Sequence, residues 1–582
     1  MNNIRLRPAT VWRIAVPYFR SEDRFAGRLL LAAVIAIELM VVGLNVLFNQ
    51  WNNRFYNALQ EKDWDAFVRE MGIFCGLAAV YIALAVYQLY LNQWLQIRWR
   101  RWLTASYLGH WLDGGNHYRM QLLGDAADNP DQRIAEDVRL FIERTLQLTI
   151  GILGQAVTFV SFVVILWTLS ATAPLHLFGK TWSIPGYLVW AALLYATIGT
   201  AIAHLVGRPL IRLNFMQQRY EADFRFNLVR VRENSEQIAL LEGEAVEQDR
   251  SMDRFAALMN NFFGIMSRTK RLMYFREGYG QVADVFPYVV ASPAYFAGVI
   301  QLGGLTQTAS AFGRVQGALS YFVNAYTLFA EWRAVVERLS GFDASIATAR
   351  ALEGTASSLK VERRKDGAEV DITNLEVRLP SGQPLVAAKE IALIAGDRVL
   401  VNGPSGAGKS TLFRAIGGIW PFGTGSVSVP AGARVMILPQ RPYLPIGSLA
   451  AAVAYPAPPD RFEIAAIRSV LVAVGLPAFA DRLSEEAHWN RMLSLGEQQR
   501  IALARAILHA PDFLFLDEAT ASLDEPVEAA LYKLLYERLP RTTVVSIGHR
   551  STLAAFHRRH LVLEPEGGLF QVRERGFETA TS

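Results

Sequence analysis

Up to about residue 335, the chain alternates long apolar runs with polar, arginine-rich segments. Each apolar run holds about 20 residues, the length that a helix needs to cross a hydrocarbon core of about 30 Å. The first run is too long for the core of a signal peptide, and no small-residue cleavage site follows it, so we expect it to be retained. We predict six membrane-spanning helices, over residues 28–50, 71–91, 145–169, 186–206, 281–303 and 311–330.

The basic residues predict the orientation of these spans. Five arginines precede the first span, and the segments 92–144 and 207–280 are rich in arginine, whereas the connections 170–185 and 304–310 on the other side carry one lysine between them. Cytoplasmic segments are enriched in Lys and Arg, so we expect the N-terminus and both long segments to be cytoplasmic.

Tryptophans and arginines also alternate over 94–102. A nucleic-acid patch would look similar, but the end of a span explains them better, and we predict no nucleic-acid partner.

The two long cytoplasmic segments have helical composition and few helix breakers. Structureless loops longer than about 15 residues are uncommon, so we expect the membrane helices to continue into the cytoplasm as antiparallel pairs that turn near 129–131 and 242–243. Beyond a polar linker, short β-branched strands alternate with helical stretches, as in a parallel sheet covered by helices. We predict a helical transmembrane domain over 1–340, a linker over 341–366 and an α/β domain over 367–582.

The composition excludes several classes of protein. Hydrophobic residues make up 52% of the 582 residues and charged residues only 19%, which excludes a disordered chain and a wholly soluble enzyme. Cys75 is the only cysteine, so no disulfide can form within the chain. The formal net charge of +5 is explained by the arginines that flank the apolar runs. The chain is therefore a membrane protein with a soluble half.

The soluble half contains a predicted phosphate-binding loop. The apolar stretch 399–402 is predicted to form a buried strand, and it runs into a G-x-x-x-x-G-K-[ST] sequence that opens a helix. The glycines let backbone N–H groups surround phosphate, Lys409 supplies a cation, and the Ser410 hydroxyl is a ligand for Mg²⁺. The residues of this loop are Gly403, Pro404, Ser405, Gly406, Ala407, Gly408, Lys409, Ser410 and Thr411.

A second apolar strand, 513–516, ends in two carboxylates. Asp517 is expected to hold Mg²⁺, because hard cations prefer oxygen ligands, and Glu518 is expected to polarise the attacking water. This pattern is weak by itself, since many buried strands end in acidic residues. Its position between other nucleotide-binding motifs makes its assignment to Mg²⁺ binding and hydrolysis more specific.

The stretch 493–500, Leu-Ser-Leu-Gly-Glu-Gln-Gln-Arg, resembles the signature of ABC ATPases. The match extends to Gln440 (Q-loop), to Asp524 (D-loop, 522–524) and to His549 (switch histidine). The resemblance implies an exporter-type helical membrane domain followed by a P-loop ATPase that uses ATP and Mg²⁺, with Glu518, His549 and Gln440 catalytic. It further implies Ser410, Gln440 and Asp517 at the metal, and nucleotide contacts from Ser494, Gly496, Glu497 and Asp524.

In ABC proteins the signature of one subunit completes the nucleotide site of its partner. One ATPase domain and six spans make half of such a transporter, so the resemblance implies a homodimer, with a heterodimer as the alternative. Two positions depart from the pattern: Leu495 stands where glycine is usual, and the stretch 375–380 lacks the aromatic residue that stacks on adenine. Base stacking contributes on the order of 1 kcal/mol, so we expect weaker base selectivity.

Polar residues form stripes on the predicted membrane helices. On the first helix they recur at spacings of 7, 4 and 3, and therefore share one face. A single polar residue per helix would suffice for interhelical hydrogen bonds, whereas whole stripes favour a water-filled cavity and polar cargo. The candidates for the cavity are Glu38, Asn45, Asn49, Asn52, Gln88, Asn92 and Asn324.

The stretches 129–134 and 234–239 are similar to cytoplasmic helices of one ABC subgroup, which joins the ABCD-type acyl-CoA half-transporters to bacterial SbmA/BacA-like and YddA-like proteins. This resemblance implies coupling helices at these positions and a location in the bacterial inner membrane. It also implies import of hydrophilic cargo such as antimicrobial peptides, bleomycin or cobalamin. The alternatives are an exporter or lipid and acyl-CoA translocator, and a nucleotide-gated channel or regulator.

Overall fold

The computed structural model describes residues 8–124, 129–172, 175–177, 180–182, 184–352, 359–365 and 367–576. These residues form two compact units. The first contains the described residues up to Tyr107 and the segment Pro130–Gly341, and the second contains Leu108–Asn129 and the chain from Phe342 onwards. A short piece of the N-terminal half therefore belongs to the C-terminal unit.

Helices dominate the N-terminal half of the described chain, and two short strands, β1 (Leu175–Leu177) and β2 (Lys180–Trp182), form an antiparallel pair within it. The helices are α1 (Pro8–Ala15), α2 (Arg24–Glu61), α3 (Trp64–Leu112), α4 (Asn116–Leu122), α5 (Pro130–Gln132), α6 (Val138–Thr172), α7 (Tyr187–Glu233), α8 (Ser235–Leu240), α9 (Glu244–Phe296) and α10 (Leu302–Ala351).

Each of the six predicted spans overlaps one long helix: α2, α3, α6, α7, α9 or α10. Among the described residues, α2, α3, α6 and α7 are long and apolar enough to cross a membrane. The helices α9 and α10 are equally long, but they do not reach the same apolarity, and the count of six spans stays a prediction. The long helices also continue well beyond the membrane-crossing length of about 20 residues.

Two breaks follow α3, one at Gly114 and Gly115 and one between Leu123 and Asn129, directly before the predicted turning point; residues 125–128 of the second break lie outside the described residues. The chain turns at Gly114 and Gly115, which have φ angles of 55° and 81°, and continues into α4. Residues 129–134 instead begin the next long helix, through α5 and the π-helix Arg133–Asp137. The sequence Asn-Pro suggested a turn, but proline is also favoured at the first position of a helix, and it starts α5 here. The second turn follows α8, at Glu242 and Gly243.

The C-terminal unit contains a ten-stranded sheet and flanking helices. Its strands are β3 (Lys360–Arg364), β4 (Val370–Arg378), β5 (Pro384–Leu393), β6 (Arg398–Asn402), β7 (Gly423–Pro430), β8 (Val435–Leu438), β9 (Gly447–Ser448), β10 (Glu486–Ala487), β11 (Phe513–Asp517), β12 (Thr543–Ile547), β13 (Arg559–Glu566) and β14 (Leu569–Arg575). Its helices are α11 (Lys409–Ile416), α12 (Leu449–Ala454), α13 (Ile464–Ala473), α14 (Trp489–Met492), α15 (Leu495–His509) and α16 (Glu525–Arg538).

The ten-stranded sheet is mixed rather than parallel throughout. Its order is β3-β7-β4-β5-β14-β13-β6-β12-β11-β8, and β9 pairs with β10 separately. The pairs β4–β5 and β13–β14 are antiparallel, because the turns that join them are too short for a crossover. The neighbours β6, β12, β11 and β8 are all parallel. Their carboxyl ends therefore lie side by side at one edge, where ligands bind in open α/β sheets.

Candidate nucleotide site

The four neighbouring parallel strands each lead into one predicted motif. The phosphate loop follows β6, His549 follows β12, Glu518 follows β11, and Gln440 follows β8. Apolar side chains bury these strands on both faces of the sheet, so the positions of their ends are fixed by the core. The fold thus gathers residues that are more than a hundred positions apart in the sequence.

Glycines shape the phosphate loop between β6 and α11. Gly406 and Gly408 have φ angles of 80° and 86°, a region that disfavours residues with a Cβ. At Gly408 a Cβ would also lie 2.7 Å from the side chain of Val386 in β5, so packing excludes a side chain there. The loop ends at the N-terminus of α11, where unpaired N–H groups and the helix dipole favour phosphate.

Lys409, the first residue of α11, is buried against the phosphate loop. Its ammonium group donates hydrogen bonds to the carbonyl oxygens of Gly403 (2.8 Å) and Pro404 (3.0 Å). Burial lowers the pKa of the Lys409 ammonium, while the nearby carboxylates of Glu518 and Asp517 act in the opposite direction. A phosphate would replace neutral partners of this ammonium with a charged one, which strengthens the hydrogen bonds.

The residues predicted for Mg²⁺ fit a hard cation. The Ser410 hydroxyl donates to Asp517 Oδ1 over 2.7 Å, so two oxygen ligands already lie together. Burial raises the pKa of the Asp517 carboxyl, and the Ser410 hydrogen bond lowers it. The described residues contain no group of three or more His, Cys, Asp or Glu side chains arranged to hold a metal ion, and Mg²⁺ commonly takes several ligands from water and substrate phosphates. A third predicted ligand, Gln440, donates its amide to Glu518 instead.

The Glu518 carboxylate contacts both of the other predicted catalytic residues. Gln440 Nε2 donates to Glu518 Oε2 over 3.1 Å, and His549 Nε2 lies 3.4 Å from Glu518 Oε1. Glu518 has a φ angle of 50°, which is unfavourable for a residue with a side chain and typically occurs at functional sites. An amide, an imidazole and a carboxylate in contact can orient and polarise a water molecule.

The signature segment forms the start of α15. Ser494 is the N-cap: its hydroxyl oxygen accepts from the Glu497 N–H over 3.3 Å and its N–H donates to the Glu497 carboxylate over 2.8 Å, which completes a capping box. Leu495, the departure from glycine, has helical backbone and needs no positive φ. A Cβ at Gly496 would lie 3.3 Å from the D-loop, so this position packs tightly. Asp524 is the N-cap residue of α16.

A buried tryptophan supports the segment that lacks an adenine-stacking residue. The Trp420 indole N–H donates to the carbonyl oxygen of Arg378 over 2.8 Å, and Arg378 also pairs with Glu376 over 2.7 Å. The indole is buried, so it fixes the end of β4 and offers no exposed ring face to a base. Sequence reasoning missed Trp420 because it lies more than 40 residues beyond this strand.

The candidate cavity residues divide into two groups. Glu38 of α2 accepts a hydrogen bond from Gln88 of α3, and the Asn92 Oδ1 atom one turn further along α3 is buried without a hydrogen-bond partner among the described residues. Asn49 instead exchanges hydrogen bonds with Gln307 of α10, at 3.1 and 3.2 Å. Interhelical bonding, the alternative to a wet cavity, therefore explains Asn49 and also accounts for the Glu38–Gln88 contact, but it does not account for the Asn92 oxygen.

The structure shows less about the three remaining cavity candidates. Asn45 and Asn52 are half-buried on α2. The side chain of Asn324 lies outside the described residues.

Comparison with known families agrees with this architecture. The family described as "ABC transporter transmembrane region 2" matches residues 13–296, and the family described as "ABC transporter" matches residues 389–521. The first match lies in the helical half of the chain and the second in the sheet-containing unit.

Two relatives and one solved structure extend the comparison. The chain is 34% identical to the inner membrane ABC transporter ATP-binding protein YddA of Escherichia coli, over 92% of this chain and 93% of YddA. It is 25% identical to the lysosomal cobalamin transporter ABCD4 of Mus musculus, over 96% and 94% of the two chains. A bacterial Atm1-family ABC exporter with ATP bound superposes with a TM-score of 0.71 at 17% identity, over 93% and 94% of the chains.

Proposed function

Because this chain belongs to the ABC transporter family and has an ABCD-type half-transporter among its relatives, we propose that two copies form an ATP-driven importer of peptides and other bulky hydrophilic compounds. ATP binding closes the two ATPase domains on each other, and the membrane helices change the side from which cargo has access. Hydrolysis then resets the transporter.

The observation that carries the choice of cargo is the polar cluster around Glu38. Gln88 of α3 donates to its carboxylate, and Gly154 of α6 leaves the space that the carboxylate occupies, since a side chain there would collide with it. One turn away, the Tyr321 hydroxyl of α10 similarly fills the space beside Gly151. Four helices thus meet around an ionisable side chain, and ionisable residues at membrane depth are rare unless they serve function.

A carboxylate at this position favours cargo with positive charge or many hydrogen-bond donors. Peptides with basic residues meet that description, and so does a large amide-rich molecule such as cobalamin, which the name of the ABCD4 relative specifies for that protein. The polar cluster gives an acyl chain no comparable partner. Basic and amide-rich compounds are therefore the first cargoes to test.

The ATPase chemistry assigns one role to each residue of the site. The phosphate loop and Lys409 bind the nucleotide phosphates, and Ser410 and Asp517 would hold Mg²⁺, which when bound would supply positive charge next to the phosphates. Glu518 accepts a proton from the attacking water, while Gln440 and His549 orient its carboxylate. Ser494 and Asp524 of the second copy complete the site in a homodimer.

The proposed location is the bacterial inner membrane, with the N-terminus and the ATPase unit in the cytoplasm. The E. coli relative is named as an inner membrane protein. The arginine-rich segments on one side of the predicted spans support the orientation.

Transport in reconstituted vesicles tests both direction and cargo. Added ATP reaches only the copies whose ATPase unit faces outwards, so an importer removes a fluorescent cationic peptide, or cobalamin, from the vesicle lumen. We expect ATP-dependent release from the lumen with the wild type and none with Glu518→Gln. Accumulation in the lumen would instead identify an exporter.

A matched pair of variants tests the role of Glu38. Glu38→Gln removes the charge, and Glu61→Gln makes the same change near the end of α2, where Glu61 also accepts a hydrogen bond from a glutamine, Gln301, over 2.8 Å. We expect Glu38→Gln alone to impair peptide transport, with ATP hydrolysis in the absence of cargo maintained. Equal transport by both variants would refute this role.

Export, or translocation of lipid or acyl-CoA, is the second candidate. The likeness to a bacterial exporter fold favours it, because the same helical arrangement supports outward transport. Acyl-CoA transport into the lumen of the same vesicles, dependent on Glu518, would establish it in place of peptide import.

A further inference from the structure

The backbone of the D-loop is held by side chains from two other motifs. The D-loop (522–524) is the end of the segment 519–524, which connects Glu518 to α16; within this segment the N–H of Ala521 donates to the carbonyl oxygen of Glu518 over 3.1 Å. Any shift of the D-loop therefore acts on the residue predicted to be the catalytic base. The two side chains that hold it are Gln499 and Arg550.

Gln499 joins the Q-loop to the D-loop through a single amide group. Its Nε2 atom donates to the carbonyl oxygen of Gln440 over 3.0 Å, and its Oε1 atom accepts from the N–H of Ser522, also over 3.0 Å. The side chain is completely buried in α15. A buried amide with both ends bonded is costly to replace, because its backbone partners would lose their hydrogen bonds away from water.

Arg550 joins the switch-histidine segment to the same D-loop. Its two terminal nitrogens donate to the carbonyl oxygens of Leu523 (2.6 Å) and Ala521 (3.2 Å). One of them also lies 3.3 Å from the buried carboxylate of Glu528, which accepts a hydrogen bond from the Thr520 hydroxyl over 2.5 Å. Two carbonyls and a carboxylate around one group require the planar, forked guanidinium, which lysine does not provide.

We infer that Gln499 and Arg550 are positioning residues for ATP hydrolysis, which tie the signature helix, Q-loop, D-loop and switch histidine into one hydrogen-bonded unit. Gln440 and His549 both contact the Glu518 carboxylate, and each is linked to the D-loop by one of these two side chains. Within one copy the predicted phosphate contacts come from the loop around Lys409, and neither Gln499 nor Arg550 is itself a predicted nucleotide contact. The two residues therefore affect the hydrolysis step more than ATP binding.

Steady-state ATP hydrolysis by the full chain in lipid nanodiscs tests this inference. Gln499→Met keeps the size of the side chain and removes both hydrogen bonds, and Arg550→Lys keeps the charge beside Glu528 and removes the fork. We expect each to lower kcat by about tenfold or more and to leave KM for ATP within about twofold, the pattern of an interaction that matters in the transition state. Since both hold one loop, the double variant should lose less than the product of the two single losses.

Arg434→Ala is the matched control. Arg434 also donates to a backbone carbonyl, that of His509 over 2.9 Å, but it lies at the start of β8 away from the motifs, and kcat should not change. Three results would overturn the inference: unchanged kcat in either variant, a raised KM with normal kcat, or a loss of kcat matched by a comparable loss in Arg434→Ala. Gln499→Glu, which keeps an acceptor for Ser522, replaces Gln499→Met if that variant does not fold. The assay contains no cargo, so its outcome is independent of the proposed import.

Discussion

His557 makes the stability of the ATPase unit dependent on pH. The ring is buried: its Nδ1 atom bonds the carbonyl oxygen of Leu553 over 2.8 Å, and its Nε2 atom lies 2.9 Å from the Ser546 hydroxyl. These bonds suit a neutral imidazole that donates from Nδ1 and accepts at Nε2. Burial and, to a smaller extent, the charge of Arg398 lower the pKa of His557 to about 4, although the Leu553 hydrogen bond acts to raise it.

The gap between the pKa values of the unfolded and folded states sets the size of the effect. With an ordinary histidine pKa of 6.5 and a folded-state pKa of about 4, protonation favours the unfolded chain as the pH falls. The stability from neutral His557 is complete above pH 6.5, falls by about 2 kcal/mol at pH 5, and falls by about 3 kcal/mol below pH 4. In a unit of this size, about 2 kcal/mol corresponds to a shift of several degrees in Tm.

Thermal unfolding of the full chain in nanodiscs at pH 7.5, 6 and 5 measures this dependence. Other groups also titrate in this range, so the informative quantity is the difference between the wild type and His557→Gln, which cannot take up a proton. We expect the variant to be less stable at neutral pH and to lose less of its Tm between pH 7 and 5. Parallel decreases in the two proteins would refute the assignment of a buried neutral histidine.

Three further predictions concern the nucleotide site. Glu518→Gln should bind ATP but hydrolyse it about 100-fold more slowly or worse, and should accumulate the ATP-bound state with closed ATPase domains; hydrolysis at the wild-type rate would exclude Glu518 as the base. Lys409→Ala should raise the KM for ATP by about tenfold or more, because a charge-assisted hydrogen bond to phosphate is lost; an unchanged KM would contradict that contact. GTP should compete with ATP within about fivefold, since 375–380 offers no aromatic ring, and strong adenine preference in a competition assay would count against this.

Much of the ATPase site could be predicted from the sequence because its residues follow buried strands. Each motif comes directly after an apolar run, and parallel strands place their carboxyl ends together. The contacts that link the motifs were not predictable in the same way. Gln499 and Arg550 stand inside or beside recognised motifs, but their partners are 59 and 29 positions away, and spacing along the chain does not reveal such pairs.

The polar stripe on α2 shows a second limit of sequence reasoning. A helical period identifies residues that share a face, but it does not identify what that face meets. Water and a neighbouring amide satisfy an asparagine equally well, and the partner of Asn49, Gln307, is 258 positions away. Pro130 shows the same limit, since proline is typical of both turns and helix starts, and here it begins α5.

The short segment around α4 has a practical consequence for exchanging parts between related transporters. Leu122 packs against the apolar core beneath the phosphate loop, and Asp113 pairs with Arg350 over 3.1 Å. An ATPase unit excised at Phe342 would leave behind the piece that covers part of its own core. A chimera with a single junction at Phe342 would combine an ATPase unit from one transporter with the segment Leu108–Asn129 of another. An exchange of the whole ATPase unit therefore needs three junctions, two of them flanking Leu108–Asn129.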